Sequence, residues 1–283
     1  MISLIVATIN RVTELDRLLS SLDAQTYKEF EVIVIDQNMD RRLVPMLQNH
    51  PALIVRHLRS ERGVGKARNH GLRAATGDII AFPDDDCWYS QSVLELIVKW
   101  LDQHRDFDAV FTTMRDADNH AVGPRWPPGP CAVTRANLWN TTICVTAFLR
   151  RAVTDAVGYF REDIGIGADS PYQSGEESDY FLRALAIGFK MRYEPGLTVH
   201  HPNLHTVERL RSKTYRYSLG CGCVLRLHGY SWVGFGRFLV RSIAGAVVSL
   251  CKGNIAMAEV YVMRAAGQLR GYFFGARELQ RKS

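Results

Sequence analysis

A chain of 283 residues with 47% hydrophobic content can bury a substantial core, which excludes a disordered polypeptide and fits one large domain or a domain with an appendage. Its six cysteines are sparse and form no paired CxxC spacing, which excludes a zinc-type framework and fits reduced thiols in a cytosolic compartment. The formal net charge of +6 is uneven: from Asn203 onward there are 13 Lys or Arg against 3 Asp or Glu, whereas residues 1–202 carry 22 basic and 26 acidic side chains. The expected organisation is a domain over 1–202 followed by a basic extension over 203–283.

The opening run, residues 1–8, lacks a basic leader and a small-residue cleavage site, so no signal peptide is expected. Residues 2–8 are too continuously apolar for a half-exposed strand and predict a buried parallel one. A helix follows, with Thr13 as N-cap and Leu15, Leu18, Leu19 and Leu22 on one face. Residues 30–35 repeat the buried-strand pattern and end in Asp36. A third strand is expected over 53–58, a helix over 64–75 and a strand over 79–83. This alternation predicts an α/β fold, a parallel sheet with helices on both faces, in which ligands collect at the carboxyl ends of strands. Three polar strand ends fit that rule: residues 8–11, 36–38 and 84–86. The Pro- and Gly-rich run VGPRWPPGP, residues 122–130, predicts a loop bordering an acceptor site. Beyond it the patterns predict a strand over 142–149, a small-residue loop over 165–175 that closes over substrate and a helix over 178–187. Short strands over 191–194 and 197–199 then deliver His200 and His201. There is no internal repeat.

The densest chemistry is FPDDDCWY, residues 82–89. In an extended chain Asp84 and Asp86 share one face and Asp85 takes the other. Two carboxylates on one face suit Mg2+ or Mn2+, hard cations that complete their shells with water and substrate phosphates, which points to a nucleotide-diphosphate substrate. The competing reading is an acidic turn that caps a helix beginning near Ser90. In Gly63-Val64-Gly65-Lys66, Ala67 stands where a P-loop needs Ser or Thr, and no third glycine completes a dinucleotide fingerprint. Lys66, Arg68 and Asn69 then either contact phosphate and base or form a solvated basic helix end. A second acidic group, Glu176, Glu177 and Asp179, sits at a helix start, where the helix dipole favours carboxylates by typically 0.3–1 kcal/mol. Alone it is ordinary helix chemistry; combined with the aspartate triplet and the His pair in one α/β chain it gains weight. For Cys221 and Cys223, in an apolar helical stretch, packing is the favoured reading over a redox-active or metal-binding pair.

Together these residues resemble the family 2 glycosyltransferases of GT-A fold, especially bacterial enzymes that build exopolysaccharide or lipid-linked glycans. The resemblance runs from Ile2 to about His201 and rests on IVATINR, VIVIDQN, KARNHGLRAATGDIIAFPDDD, GEESDYFLRALAIGFKMRYEPG and the trailing VHHP. One departure stands out: many members have Glu-Asp where this chain has Glu176-Glu177. The resemblance implies a Rossmann-like, mostly parallel sheet flanked by helices. It places Thr8, Asn10, Arg11, Asp36, Lys66, Arg68, Asn69, Asp84 and Asp85 around the donor nucleotide, with Asp36 toward the base and Asp84 toward the ribose. Asp86 would bind a divalent cation, Mn2+ or Mg2+, with His201, or alternatively His200, completing its environment. Glu177 would be the general base of an inverting transfer from a nucleotide-diphosphate sugar, most often a UDP-sugar. Glu176, Asp179 and Trp126 would lie on the side of a glycan or lipid-linked acceptor. A nucleotidyltransferase fits less well, because residues 10–13 contain no glycine for a phosphate loop. A catalytically silent sugar-nucleotide-binding membrane partner is the other alternative.

Beyond Asn203, aromatic and aliphatic residues interspersed with Arg predict amphipathic helices lying on an anionic membrane, which places the protein in the cytoplasm, peripheral on the inner face of the plasma membrane. The high apolar content favours membrane over nucleic acid as the partner. The longest apolar run, residues 238–251, is interrupted by Arg241 and is shorter than the roughly 20 residues needed to span a bilayer, so spanning is not expected.

Overall fold

In the computed structural model, described for residues 1–203 and 206–280, eight strands form one sheet. They are β1 (Ile2–Thr8), β2 (Phe30–Asp36), β3 (Val55–Arg59), β4 (Ile79–Ala81), β5 (Ala109–Arg115), β6 (Cys131–Ala132), β7 (Ala147–Arg150) and β8 (Met191–His200), in spatial order β3-β2-β1-β4-β7-β5-β8-β6. The helices are α1 (Thr13–Asp23), α2 (Val44–Leu47), α3 (Val64–Ala74), α4 (Val93–Gln103), α5 (Leu138–Thr141), α6 (Arg151–Val157), α7 (Glu176–Ala186), α8 (Val207–Leu227), α9 (Trp232–Cys251), α10 (Ile255–Arg270) and α11 (Ala276–Gln280).

Strands β1, β2, β3 and β4 are parallel neighbours, as their buried apolar runs imply. The register sets Thr8 opposite Asp36, and Asp36 opposite Arg59, so three strand ends present polar groups along one edge of the sheet. Alternate residues of β1 and β2 divide the packing between two faces. Leu4, Val6, Val32 and Val34 share a core with the leucine face of α1 and with Val93, Leu94, Ile97 and Leu101 of α4. Ile5 meets Gly71 of α3 on the other face.

The second half of the sheet departs from the expectation. Residues 144–146 form a 3-10 turn, and only then does β7 begin, running antiparallel between β4 and β5. Strand β5 is not among the expected elements, although Val110, Phe111, Thr112 and Thr113 are residue types that favour a strand. The two short strands expected over 191–199 are one strand, β8, whose register against β5 jumps from Glu194 to Thr198. Pro195, which has no N–H to donate, and Gly196, which has no side chain to pack, fall in that irregularity. The sheet is therefore mixed and mostly parallel.

By internal contacts the chain divides into two compact units. The first comprises Met1–Arg62, Lys66–Phe160 and Tyr180–Asn203; the second comprises Gly63–Gly65, Arg161–Asp179 and the described residues from 206 on. Arg161–Asp179, which precedes the expected boundary at residue 202, thus clusters with the C-terminal helices. Within the second unit, Gly267, Gly271 and Gly275 recur every four residues against α8. A Cβ on Gly267 would lie 2.6 Å from the Tyr215 carbonyl oxygen, on Gly271 2.1 Å from that of Leu219, and on Gly275 2.8 Å from Cys223 Cβ. Small residues at this spacing let two backbones touch. Gly271→Ala is expected to lower the stability of this unit by about 1–3 kcal/mol, because backbone atoms rather than a flexible side chain must move; thermal unfolding followed by circular dichroism measures it. Burial pushes the thiols of Cys221 and Cys223 up to about 12, which suits packing residues rather than reactive thiols.

The apolar helix is longer than the run of residues 238–251 implies. Helix α9 has 20 residues, because Trp232, Val233 and Phe235 extend the apolar run backward to a cap at Ser231, whose hydroxyl accepts from the Gly234 N–H. By length and composition it suffices to cross a membrane.

Candidate active site

At the end of β2 the Asp36 carboxylate is fully buried and already surrounded by donors. The Asn38 backbone N–H and side-chain amide donate to one oxygen at 2.8 and 2.7 Å, while His57 Nε2 lies 3.0 Å from the other, which also accepts from Arg59 Nη1. Burial raises this carboxyl's pKa, but the donors outweigh burial and hold it below the ordinary value. A carboxylate offers about four acceptor positions, so Asp36 organises its neighbours before any ligand arrives. Through Asn38 it reaches the loop after β1: the Asn10 N–H donates to Asn38 Oδ1 at 2.7 Å, and Asn10 itself takes a left-handed φ of 59°. Thr8 is buried at the end of β1. His57 and Arg59, two residues apart on β3 and so on one face, escaped the sequence reading; their alternation at a strand end was the available signal.

The aspartate triplet is not extended. Strand β4 ends at Ala81, and the Cys87 N–H donates to the Asp84 carbonyl at 3.1 Å, closing a turn. Turn geometry rather than strand alternation therefore aims the side chains, yet Asp84 and Asp86 still converge. With His201 they form a cluster whose ligand atoms all lie within 4.8 Å of one another. His201 Nε2 is 3.0 Å from Asp86 Oδ1 and 3.8 Å from Asp84 Oδ2. Two backbone hydrogen bonds of 3.0 Å between Trp88 and His200, with their rings stacked at 5.4 Å, fasten the end of β8 beside the acidic turn. His201 thus reaches the carboxylates, and His200 is the residue that holds the strand.

His201 Nδ1 lies 2.9 Å from the Pro202 carbonyl, which can only accept, so Nδ1 carries the hydrogen and Nε2 faces the carboxylates. A neutral imidazole would set its lone pair against Asp86; the arrangement calls for positive charge at that point. Burial pulls the imidazole's pKa down, but the hydrogen bond and charge of Asp86 outweigh burial and raise it. A divalent cation fits the same place, and the mixed donor set of two carboxylates and one imidazole favours a first-row metal such as Mn2+ over Mg2+. Burial likewise opposes the Asp86 charge, and His201 and Arg11 outweigh it, keeping that carboxyl below its ordinary value. Asp85 points instead to Arg11 Nη1 at 2.7 Å, and burial pushes its carboxyl up to about 6 against the guanidinium's pull. Arg11 Nη1 also pairs with Asp86, and Arg17, stacked 4.4 Å over Trp88, donates to the Asp86 carbonyl.

The other expected donor-site residues divide. Arg68 is buried, with Nη2 3.8 Å from Asp84 Oδ1. Lys66 pairs with Glu61 at 2.9 Å. Asn69 is a strut: its amide donates to the Phe160 carbonyl at 2.9 Å and accepts from the Phe160 N–H at 2.8 Å. Trp126 stacks on Tyr193 at 5.5 Å and donates its indole N–H to the Val122 carbonyl at 2.7 Å, pinning the Pro-rich loop to the sheet. A further cluster, Asp116, Asp118 and His120, is accounted for by turn chemistry, since Asp116 Oδ1 accepts the backbone N–H groups of Asp118 and His120 at 3.1 and 2.8 Å.

In the second unit, α7 begins at Glu176, two residues before the expected start, so both glutamates belong to its first turn. Glu176 is buried against Gly165, and Asp179 is buried with His228 Nε2 2.9 Å from Oδ1. Glu177, between them, is half-buried.

A mostly parallel sheet with polar strand ends, whose parallel strand β8 ends in a histidine pair beside an acidic turn, is the architecture of a GT-A nucleotide-sugar-dependent glycosyltransferase. The chain belongs to glycosyl transferase family 2, whose family profile matches residues 3–157. It is 26% identical over 190 residues to the uncharacterized glycosyltransferase YwdF of Bacillus subtilis (strain 168), covering 65% of this chain and 70% of that one. To the poly(ribitol-phosphate) beta-N-acetylglucosaminyltransferase TarS of Staphylococcus aureus (strain Mu50 / ATCC 700699) it is 30% identical over 126 residues, 42% of this chain and 22% of that one. Among solved structures, S. aureus TarS 1–349 in complex with UDP-GlcNAc shares the fold at a TM-score of 0.61 and 17% identity, covering 100% of this chain and 92% of that one. The mannosyltransferase PcManGT from Pyrobaculum calidifontis, in complex with GDP-Man and Mn2+, does so at 0.64 and 19%, covering 95% and 86%.

Proposed function

We propose that this glycosyltransferase is inverting and divalent-cation-dependent, moving a sugar from a UDP-sugar to a glycan or lipid-linked acceptor hydroxyl. The observation that carries the reading is the convergence of Asp84, Asp86 and His201, with His201 oriented by the Pro202 carbonyl. These three residues would hold the cation, which when bound acts as a Lewis acid toward the negative charge developing on the leaving diphosphate. Arg11 neutralises Asp85 and steadies Asp86. The Asp36 assembly orients Asn38, Arg59 and Asn10, polar groups suited to a nucleoside. Glu177 removes the proton of the attacking hydroxyl, a role that rests on the family resemblance and is favoured over its neighbours because Glu176 and Asp179 are buried. A single displacement converts an α-linked donor into a β-glycoside. UDP-GlcNAc bound by TarS supports a uridine donor, and GDP-Man bound by PcManGT supplies the competing base. Calorimetric titration with UDP, GDP and dTDP, each with and without Mn2+, tests the reading: Mn2+-dependent binding of UDP is expected, and metal-independent or absent binding of all three overturns it.

The second unit is proposed to lie on the inner face of the plasma membrane. Trp232, Val233, Val240, Ile243, Val247 and Leu250 are exposed along α9, and Phe273 and Phe274 are exposed in the π-helical segment Gly271–Gly275 that follows α10. Arg237 and Arg241 are the charges within α9, which contains no acidic residue. Apolar and basic surface together suit an anionic interface. Replacing Val240 and Ile243 by Asp is expected to weaken co-sedimentation with phosphatidylglycerol vesicles by about tenfold or more, each buried side chain contributing roughly 1.5–3 kcal/mol; equal binding by wild type and variant removes α9 from the contact.

A further inference from the structure

The segment leading into the acidic turn of α7 is fastened to the C-terminal helices of the second unit at successive positions. The Tyr172 hydroxyl donates to Glu278 of α11 at 2.5 Å, and the Ser174 hydroxyl donates to the Tyr217 carbonyl of α8 at 2.6 Å. Ser174 approaches α8 so closely that a Cβ on Gly220 would lie 2.1 Å from the Ser174 carbonyl oxygen. Gly175 follows at φ +99°, a conformation that favours glycine, and a Cβ there would lie 2.7 Å from Val224 Cγ2. One turn on, Asp179 Oδ1 meets His228 Nε2, just beyond the end of α8. The Asp179 N–H donates to the Gly175 carbonyl at 2.8 Å, closing the turn that contains Glu177.

Glu177 therefore lies between two anchored residues, Gly175 before it and Asp179 after it. Asp179 is 3% exposed, and a carboxylate buried to that degree needs a charged or hydrogen-bonding partner. We propose that the C-terminal helices form the frame of the catalytic turn, and that His228 is a positioning residue for Glu177, acting through Asp179. The inference rests on the assignment of Glu177 as the base. It gives the C-terminal helices a place in catalysis apart from any membrane contact. The size of the effect follows from geometry: displacing a catalytic group by about 1 Å can cost on the order of a hundredfold in rate.

The test compares wild type, His228→Ala and His228→Gln, the last because a glutamine amide can present an N–H where His Nε2 stands. The substrate is whichever of UDP-GlcNAc, UDP-glucose and GDP-mannose the wild type hydrolyses fastest with Mn2+. His228→Ala is expected to lower kcat by about ten- to a hundredfold with KM for the donor within about twofold, and His228→Gln to recover most of the rate. Deuterium exchange of the amides of residues 175–179 should quicken in His228→Ala and return toward wild type in His228→Gln. Wild-type kcat and exchange in His228→Ala overturns the proposal, as does a His228→Gln protein no better than His228→Ala in both. The exchange measurement needs no donor and separates the two failures: undiminished turnover by Glu177→Gln would remove the base assignment, while unaltered exchange in His228→Ala would remove the anchoring.

Discussion

Asp86→Ala is expected to abolish the Mn2+-dependent part of nucleotide binding, weakening UDP by about a hundredfold or more when titrated with the metal present. The side chain is one of three in the cluster and the one nearest His201, at 3.0 Å. Removing it takes away a carboxylate ligand and releases the imidazole from the contact that orients Nε2, and disturbing ligand orientation alone typically costs 10–100-fold in metal affinity. It also leaves Arg11 with Asp85 as its remaining carboxylate partner in the triplet. Binding in the absence of Mn2+ should change little, so the measurement is the ratio of affinities with and without metal. Asp118→Ala, in the exposed turn after β5, is the control and should leave that ratio at the wild-type value. A wild-type ratio in Asp86→Ala would show that the cation is held elsewhere.

Glu177→Gln is expected to lower transfer by about 10²- to 10⁴-fold, the usual contribution of a positioned general base, with nucleotide affinity within about twofold of wild type. The amide keeps the size of the side chain but cannot take the acceptor's proton. Glu177→Asp should retain a measurable rate, because the change keeps a carboxylate and only shortens its reach by one methylene. Steady-state kinetics on the three proteins give the answer: equal rates for wild type and Glu177→Gln would exclude the residue from proton transfer. A matching loss in nucleotide affinity would instead point to a disordered first turn of α7.

Local pattern carried much of the fold's first half. The continuous apolar runs of β1 and β2, the leucine face of α1 and the turn-rich break at residues 122–130 are short-range features, and each stands where its own residues require it. The same holds for the carboxylates of the two acidic turns, whose density is visible without a structure. The residues that complete them are set by pairing across the chain. Asp36 is satisfied by His57 and Arg59 because β3 aligns in parallel with β2, and an aspartate at a strand end gives no hint of how many donors already surround it. His201 rather than His200 meets the carboxylates because Trp88 pairs with His200 and fixes the phase of β8. Asn69 clamps Phe160, 91 residues away, a role its place at a helix start does not announce. Residues 161–179 cluster with helices that follow them by dozens of positions. Composition and periodicity report the preferences of neighbouring residues, so the sequence by itself determined the sheet-forming runs, the acidic turns and the basic tail. Register, burial and hydrogen-bond saturation depend on partners distant in sequence, and only the tertiary structure decided which side chains are spent on holding the fold and which converge to form the site.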